Sequence, residues 1–314
     1  MHVFPTALIL FFYRQVFLMD RRGGEPVQLT RVTGEIISYD WKSDGQALVL
    51  VIKEPSTADT ASTKIRTPYV MDRYQFKQDY EGYLDNRKSH LYLFNVKTKS
   101  LDTLTSGVHN ERDAHFNPDG SQLVYVSNTT EDPDRNSNTD LFIIHLNEQR
   151  RIQQITTFRG SNTNPQYSPD GNFIAFEQSI SEANFHMYDQ SQLAVYTVKS
   201  GQIQILSAAL DRPVVGYEWA GNSHDLYALI EDDRTQNIYK FQVGSTQYQK
   251  VAGGQDVYSS LHSSASGLLT ALYSDPNTPN EIYVLEGEQP RQVTHLNESF
   301  LAGMQKISVR GFRS

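Results

Sequence analysis

Four aromatic residues in this chain each stand four positions before the closing residue of a tight turn, and an apolar run follows each turn. The copies read Trp41-Lys42-Ser43-Asp44-Gly45, Phe116-Asn117-Pro118-Asp119-Gly120, Tyr167-Ser168-Pro169-Asp170-Gly171 and, degraded, Trp219-Ala220-Gly221-Asn222-Ser223. The apolar runs are Ala47 to Ile52, Leu123 to Val126, Phe173 to Phe176 and Leu226 to Ile230. Measured at the closing residue, the spacings are 75, 51 and 52. Self-similarity at such a period means a repeat architecture.

Each copy extends into a four-strand unit. After the apolar run comes a strand of the type Leu91-Tyr92-Leu93-Phe94-Asn95-Val96, then a short strand ending in Leu-Thr or its like. Those ends fall at Leu29-Thr30, Leu104-Thr105, Ile155-Thr156, Leu206-Ser207 and Val293-Thr294. Short alternating strands bounded by Gly, Pro, Asn and Asp are the grammar of hairpins. In Ser168-Pro169-Asp170-Gly171, Pro presets φ, Asp tolerates the bridge region and Gly supplies the left-handed exit. With its direction fixed by the turn, the aromatic is expected to pack between neighbouring sheets.

Four-stranded units of this length are what a β-propeller requires. The expected fold is therefore all-β: a propeller of four-stranded antiparallel blades, about five of them whole, with a partial one and an incomplete ring. The blades are expected at about 37–105, 113–157, 163–207, 214–252 and 257–294, with a half blade at 16–30. Phe300 to Gln305 reads as one further strand. Residues 1–15 are an uncertain start: Ala7 to Phe12 reads as a strand or as a non-native segment. A secretion signal there lacks a basic n-region and a cleavage site. The apolar stretch Val3 to Tyr13 falls short of the ~20 residues that a spanning helix needs.

Bulk composition removes several functions. With 38% hydrophobic and 20% charged residues, the chain has the make-up of a soluble globular protein. Its net charge of −8 works against a nucleic-acid groove, which needs a positive field. It has no cysteine, so disulfides, thiolate zinc sites and a cysteine nucleophile are excluded. No cofactor is expected.

Three places carry candidate chemistry. The Ser223-His224-Asp225 run resembles a triad in composition only, because consecutive residues cannot converge as nucleophile, base and orienter. No Gly-x-Ser-x-Gly pentapeptide occurs. Asp132, Asp134 and Asn136 alternate as calcium ligands do, yet Ser137 and Ile143 stand where an EF-hand loop needs Gly and Glu. The other reading is a polar hairpin whose Asp and Asn satisfy turn amides. The third place is the insertion from Pro55 to Ser89. It mixes aromatics with Arg, as contact surfaces do: Arg66, Tyr69, Asp72, Arg73, Tyr74, Phe76 and Tyr83. The alternative is a long hairpin packed on its own blade.

The tandem turn motif resembles the TolB-type propeller repeat. A closer resemblance lies in Thr67 to Lys77, Glu81 to Leu84, Ser89 to Tyr92, Gly107 to Gly120 and Ser127 to Phe142. These stretches are similar to the prolyl oligopeptidase family of serine peptidases, in its acylaminoacyl-peptidase or dipeptidyl-peptidase-like branch. The resemblance covers roughly residues 15–310. It implies an N-terminal propeller whose partners are a C-terminal α/β-hydrolase domain, which carries the triad, and short peptide substrates. His295 to Gly303 resembles the exit from that propeller, and the hydrolase is expected to begin near Ile307 to Phe312. Residues 307–314 are then the start of a linker, and this chain by itself is expected to be inactive. The alternative expectation is a free-standing TolB-like propeller that binds protein.

Overall fold

The computed structural model of the chain describes residues 6–10, 14–20, 22–55, 70–79, 81–147, 149–180, 190–264, 266–286 and 289–305. By compactness they form two units, one up to Tyr167 and one from Ser168 onward.

In the first unit, a three-stranded sheet joins Thr6–Leu10, Gln15–Met19 and Val27–Gln28. A second sheet runs Glu35–Trp41, Ala47–Lys53, Ser89–Asn95 and Leu101–Thr103, antiparallel throughout. A third repeats the meander with Glu111–Phe116, Gln122–Ser127, Asp140–His145 and Arg151–Gln154. The first unit closes on strand Gly160–Tyr167, and the second opens with the antiparallel strands Phe173–Ile180, Ser191–Thr197 and Ile203–Ile205.

The rest of the second unit is one eight-stranded sheet built from two more meanders. Val214–Trp219, Asp225–Asp232, Thr235–Gln242 and Tyr248–Ala252 form the first. Val257–Ser263, Leu269–Asp275, Thr278–Glu286 and Gln289–Gln292 form the second. A single parallel bridge, Gln236 to Val257, joins them. The chain is thus all-β, with repeated four-stranded antiparallel sheets.

Side-chain alternation explains the layering. Strand Ala47–Lys53 is apolar on both faces and buried on both. Leu48, Leu50 and Ile52 pack with Val16, Leu29 and Ile36, while Val49 and Val51 pack with Phe116, Leu123 and Tyr125. Successive residues of a strand point to opposite faces, so one strand feeds two cores. In the second unit Leu226, Ala228 and Ile230 join Leu193 and Val195, whereas Leu229 joins Tyr258 and Leu269. Full burial of each such aliphatic side chain is worth roughly 1.5–3 kcal/mol.

The turns set the strand entries. Gly45, Gly120 and Gly171 adopt φ of 68°, 70° and 74°, and Ser223 takes the same region at 62°. Asp44, Asp119 and Asp170 each accept a hydrogen bond from the amide two residues on, at 2.9, 2.7 and 3.0 Å. Backbone and side-chain hydrogen bonds from Gln46 and Lys42 hold the Asp44 carboxyl below its ordinary range. The aromatics then enter the cores. Phe116 lies among Val49, Val51 and Leu91. Tyr167 donates its hydroxyl to Gln122 at 3.2 Å. Trp219 stacks on Phe173 with centroids 6.3 Å apart, and Trp41 packs against the cluster around Val16.

The Leu-Thr strand ends have a specific job. Thr30, Thr105, Thr156, Ser207 and Thr294 each accept the amide of the residue near the start of the third strand, at 2.8–2.9 Å. Four of them also donate, to Gln15, Glu111, Asp140 and Glu281. A buried amide that the ladder leaves unpaired is satisfied in this way.

One expectation is corrected. Residues 300–305 are not a strand; a short helix spans Glu298–Leu301. Glu281 accepts from both the amide and the side chain of Asn297, which turns the chain at that point and starts the helix. The Thr294 hydroxyl first, and those Asn297 bonds with it, depress the Glu281 carboxyl to about 2. Among the described residues no helix is long and apolar enough to cross a membrane.

Candidate functional site

The insertion leaves the second sheet through a closed neck. Glu54 donates its amide to the Lys88 carbonyl at 2.8 Å, and the Lys88 amide returns a bond to the Glu54 carboxylate at 3.0 Å. Arg87 braces it, reaching the Glu54 carbonyl at 3.2 Å and Glu35 at 3.6 Å. Within the arm, a two-residue ladder pairs Lys77–Gln78 with Gly82–Tyr83. Of the residues singled out in the insertion, Arg66 and Tyr69 lie outside the described residues.

Arg73 is the hinge of the arrangement. Its Nε donates to Asp134 at 3.0 Å, a second guanidinium nitrogen meets the other Asp134 oxygen, and Nη1 donates to the Asp85 carbonyl at 2.6 Å. Arg135, next to that aspartate, lies over the Tyr74 ring at 4.7 Å. Two adjacent residues of the arm are thus clasped by two adjacent residues of the next sheet's loop. Both side chains of the Arg73–Asp134 pair are largely removed from solvent, where a bidentate charge pair is worth most. Asp72 accepts from Asn86 at 3.0 Å. Val70, Met71, Tyr74, Phe76 and Tyr83 remain exposed, an apolar face on a polar arm.

Between the arm and the neighbouring loops lies a cavity of about 470 Å³. Its wall includes Asp72, Arg73, Lys88, His109, Glu131 and Arg135. The clasp therefore brings Asp72, Arg73 and Tyr74 together with Asp132 and Asp134, while Phe76 and Tyr83 stand away from the cavity wall. A second, more apolar cavity of about 680 Å³ lies between the 274–280 hairpin and Phe300, Leu301 and Met304.

Asp132, Asp134 and Asn136 are each engaged separately. Asp134 faces Arg73, and Asp132 faces Arg135 at 3.2 Å. Asn136 donates to Thr130 and to the Asp132 carbonyl, and accepts from Asn128. Among the described residues no group of three or more His, Asp or Glu side chains could hold a metal ion. The serine run is equally taken up. Ser223 Oγ accepts the Asp170 amide at 3.0 Å, His224 Nδ1 lies 3.0 Å from the Asn222 carbonyl, and Asp225 pairs with Lys240 at 2.7 Å.

Sequence reading missed a buried cluster below the neck. His90 Nδ1 lies 2.8 Å from Glu111, which also accepts from Thr105 at 2.8 Å. The signal available was the Leu104-Thr105 strand end, whose hydroxyl needs a buried acceptor.

The family model described as the acylaminoacyl-peptidase N-terminal β-propeller domain matches residues 12–176. The uncharacterized peptidase YuxL of Bacillus subtilis is 25% identical over 91% of this chain and 46% of its own length. A dipeptidyl-peptidase 5 of Porphyromonas gingivalis is 24% identical over 62% of this chain and 29% of its own. Among solved structures, the acylaminoacyl peptidase of Pyrococcus horikoshii superposes with a TM-score of 0.74 at 16% identity. That match covers 98% of this chain and 46% of the other. The chain spans less than half the length of these relatives. The repeated sheets, the turn chemistry and the family match agree: the chain belongs to the acylaminoacyl-peptidase N-terminal β-propeller family.

Proposed function

We propose that this chain is the substrate-gating and domain-contact propeller of a serine peptidase that hydrolyses short peptides. The acyl-transfer chemistry belongs to an α/β-hydrolase domain. The observation that carries the reading is the family match over residues 12–176, extended by the YuxL alignment across most of the chain. In this reading the propeller occupies residues 16–306, with the five blades and the half blade bounded as the repeat predicts. Residues 307–314, outside the described set, lead toward the catalytic domain.

The insertion supplies the contact surface. Its arm is anchored at the Glu54–Lys88 neck and at Arg73–Asp134, and it presents an apolar face between these anchors. Aromatic and Arg side chains on a fixed frame are the composition of energetic contacts. A propeller beside an active site restricts entry to short peptides and excludes folded chains.

Purified alone, the chain should not turn over chromogenic dipeptide or acyl-amino-acid substrates. Joined to an α/β-hydrolase domain encoded in the same frame, it should confine cleavage to short peptides. Turnover by the chain alone, or a frame that continues without a hydrolase, overturns the reading. Stable capture of an unrelated protein by the isolated chain supports the free-standing binding module instead.

A further inference from the structure

We propose that the cavity beneath the arm binds a short zwitterionic peptide, an inference that rests on the peptidase reading above. The charges around it do not cancel within the protein. Arg73 is satisfied by Asp134, and Arg135 faces Asp132. Four groups of the wall then remain. Among the described residues the Asp72 carboxylate has only the Asn86 amide, on one oxygen. Among the described residues the Glu131 carboxylate and the Lys88 ammonium have no ion pair, although both backbone groups of Lys88 are spent in the neck. His109 Nδ1 is buried without a hydrogen-bond partner. The unpaired His109 atom costs free energy that a bound polar group recovers, while the Asp72 and Glu131 carboxylates stand exposed at the rim.

The remaining groups are of both signs, and this selects the ligand. A purely anionic molecule meets Asp72 and Glu131, and a purely cationic one meets Lys88 beside Arg73 and Arg135. A molecule carrying an ammonium at one end and a carboxylate at the other satisfies both sets. Charge-assisted hydrogen bonds of this kind are the strong ones. At about 470 Å³ the cavity lies toward the lower end of the roughly 300–1,000 Å³ typical of ligand sites. That suits a di- or tripeptide and excludes a folded chain. The site would hold peptide on the propeller itself, near the arm that the contact reading assigns to the domain interface.

Titration calorimetry on the full chain tests this with three probes: dialanine, N-acetyl-dialanine and dialanine amide. Dialanine should bind one to one, and capping either end should weaken it at least about tenfold, the loss expected for one charge-assisted hydrogen bond. Glu131→Gln should weaken dialanine but not the N-acetyl form, and Lys88→Gln should weaken dialanine but not the amide. Glu131 is exposed, so its substitution leaves the fold intact. Absence of binding at millimolar dialanine, or equal binding of all three probes, overturns the proposal. Neither result touches the turnover test above, so the two readings fail separately.

Discussion

Five strand ends carry a hydroxyl that accepts the amide near the start of the third strand, and Gly253 stands at the corresponding place in the meander from Val214 to Ala252. Here Asn237, 1% exposed, fills the space the hydroxyl would take. A Cβ on Gly253 would lie 1.8 Å from Asn237 Oδ1 and 2.8 Å from Asn237 Cβ, so the neighbour cannot swing clear. Gly253 also sits at φ +139°, which side chains avoid. Gly253→Ala should therefore cost about 2–4 kcal/mol, strain and overpacking together. Gly244→Ala has φ +82° but nothing within 4 Å, and should cost only about 1 kcal/mol. Urea denaturation of both variants measures the difference. Equal losses would mean that Asn237 gives way. The hydroxyl rule was written in the sequence as Leu-Thr; its exception was not, because Gly253 reads as one more turn glycine until Asn237 is seen beside it.

Strands whose turns carry Asp-Gly were legible because the dihedral demand is local. Gly at the fifth position of Tyr167 to Gly171 has one conformational reason to be there. The first strand of four of the meanders hid more. It is bulged at a recurring place: register shifts fall at Ile36/Ser38, Arg112/His115, Val214/Gly216 and Ser259/His262. Asp113 and Ser260 there, and Asn164 in strand Gly160–Tyr167, adopt φ near 50° without being glycine. Bulges blunt strands that would otherwise offer an open edge, and no residue type announces them. The arm is a different case. Its Arg and aromatics read as a contact surface, and Asp134 reads as a possible metal ligand. That the two belong together was invisible, since 61 residues separate Arg73 from Asp134 with no local pattern between them. A double-mutant cycle with Arg73→Ala and Asp134→Ala should give a coupling of about 1–3 kcal/mol. Amide exchange over residues 70–79 should quicken in either single variant. Coupling near zero would make the clasp a surface contact.

At the scale of the whole molecule, the question is whether the arm serves the fold or serves what the fold meets. The neck decides how to ask it. Lys53 and Ser89 are paired across an antiparallel ladder, and Glu54 and Lys88 close it. A two-residue Asn-Gly turn can therefore replace residues 55–87 without moving either strand, since such turns match the twist of flanking strands. The sheets keep both faces of Ala47–Lys53 covered by residues outside the arm: Val16, Leu29, Phe116 and Leu123. Among the described residues the shortened chain loses the Arg73–Asp134 pair, the Tyr74–Arg135 contact and the exposed pairings of Arg87 with Glu35 and of Lys53 with Glu81 and Asp85. At about 1–3 kcal/mol in all, that should lower the melting midpoint by only a few degrees for a chain this size. Affinity for the hydrolase domain proposed above, expressed separately, should fall at least tenfold, because the exposed Val70, Met71, Phe76 and Tyr83 go with the arm. Calorimetric melting and a binding titration read the two effects independently. A collapse of the midpoint with unchanged affinity would reverse the assignment, making the arm a brace for two sheets and moving the contact surface elsewhere on the propeller.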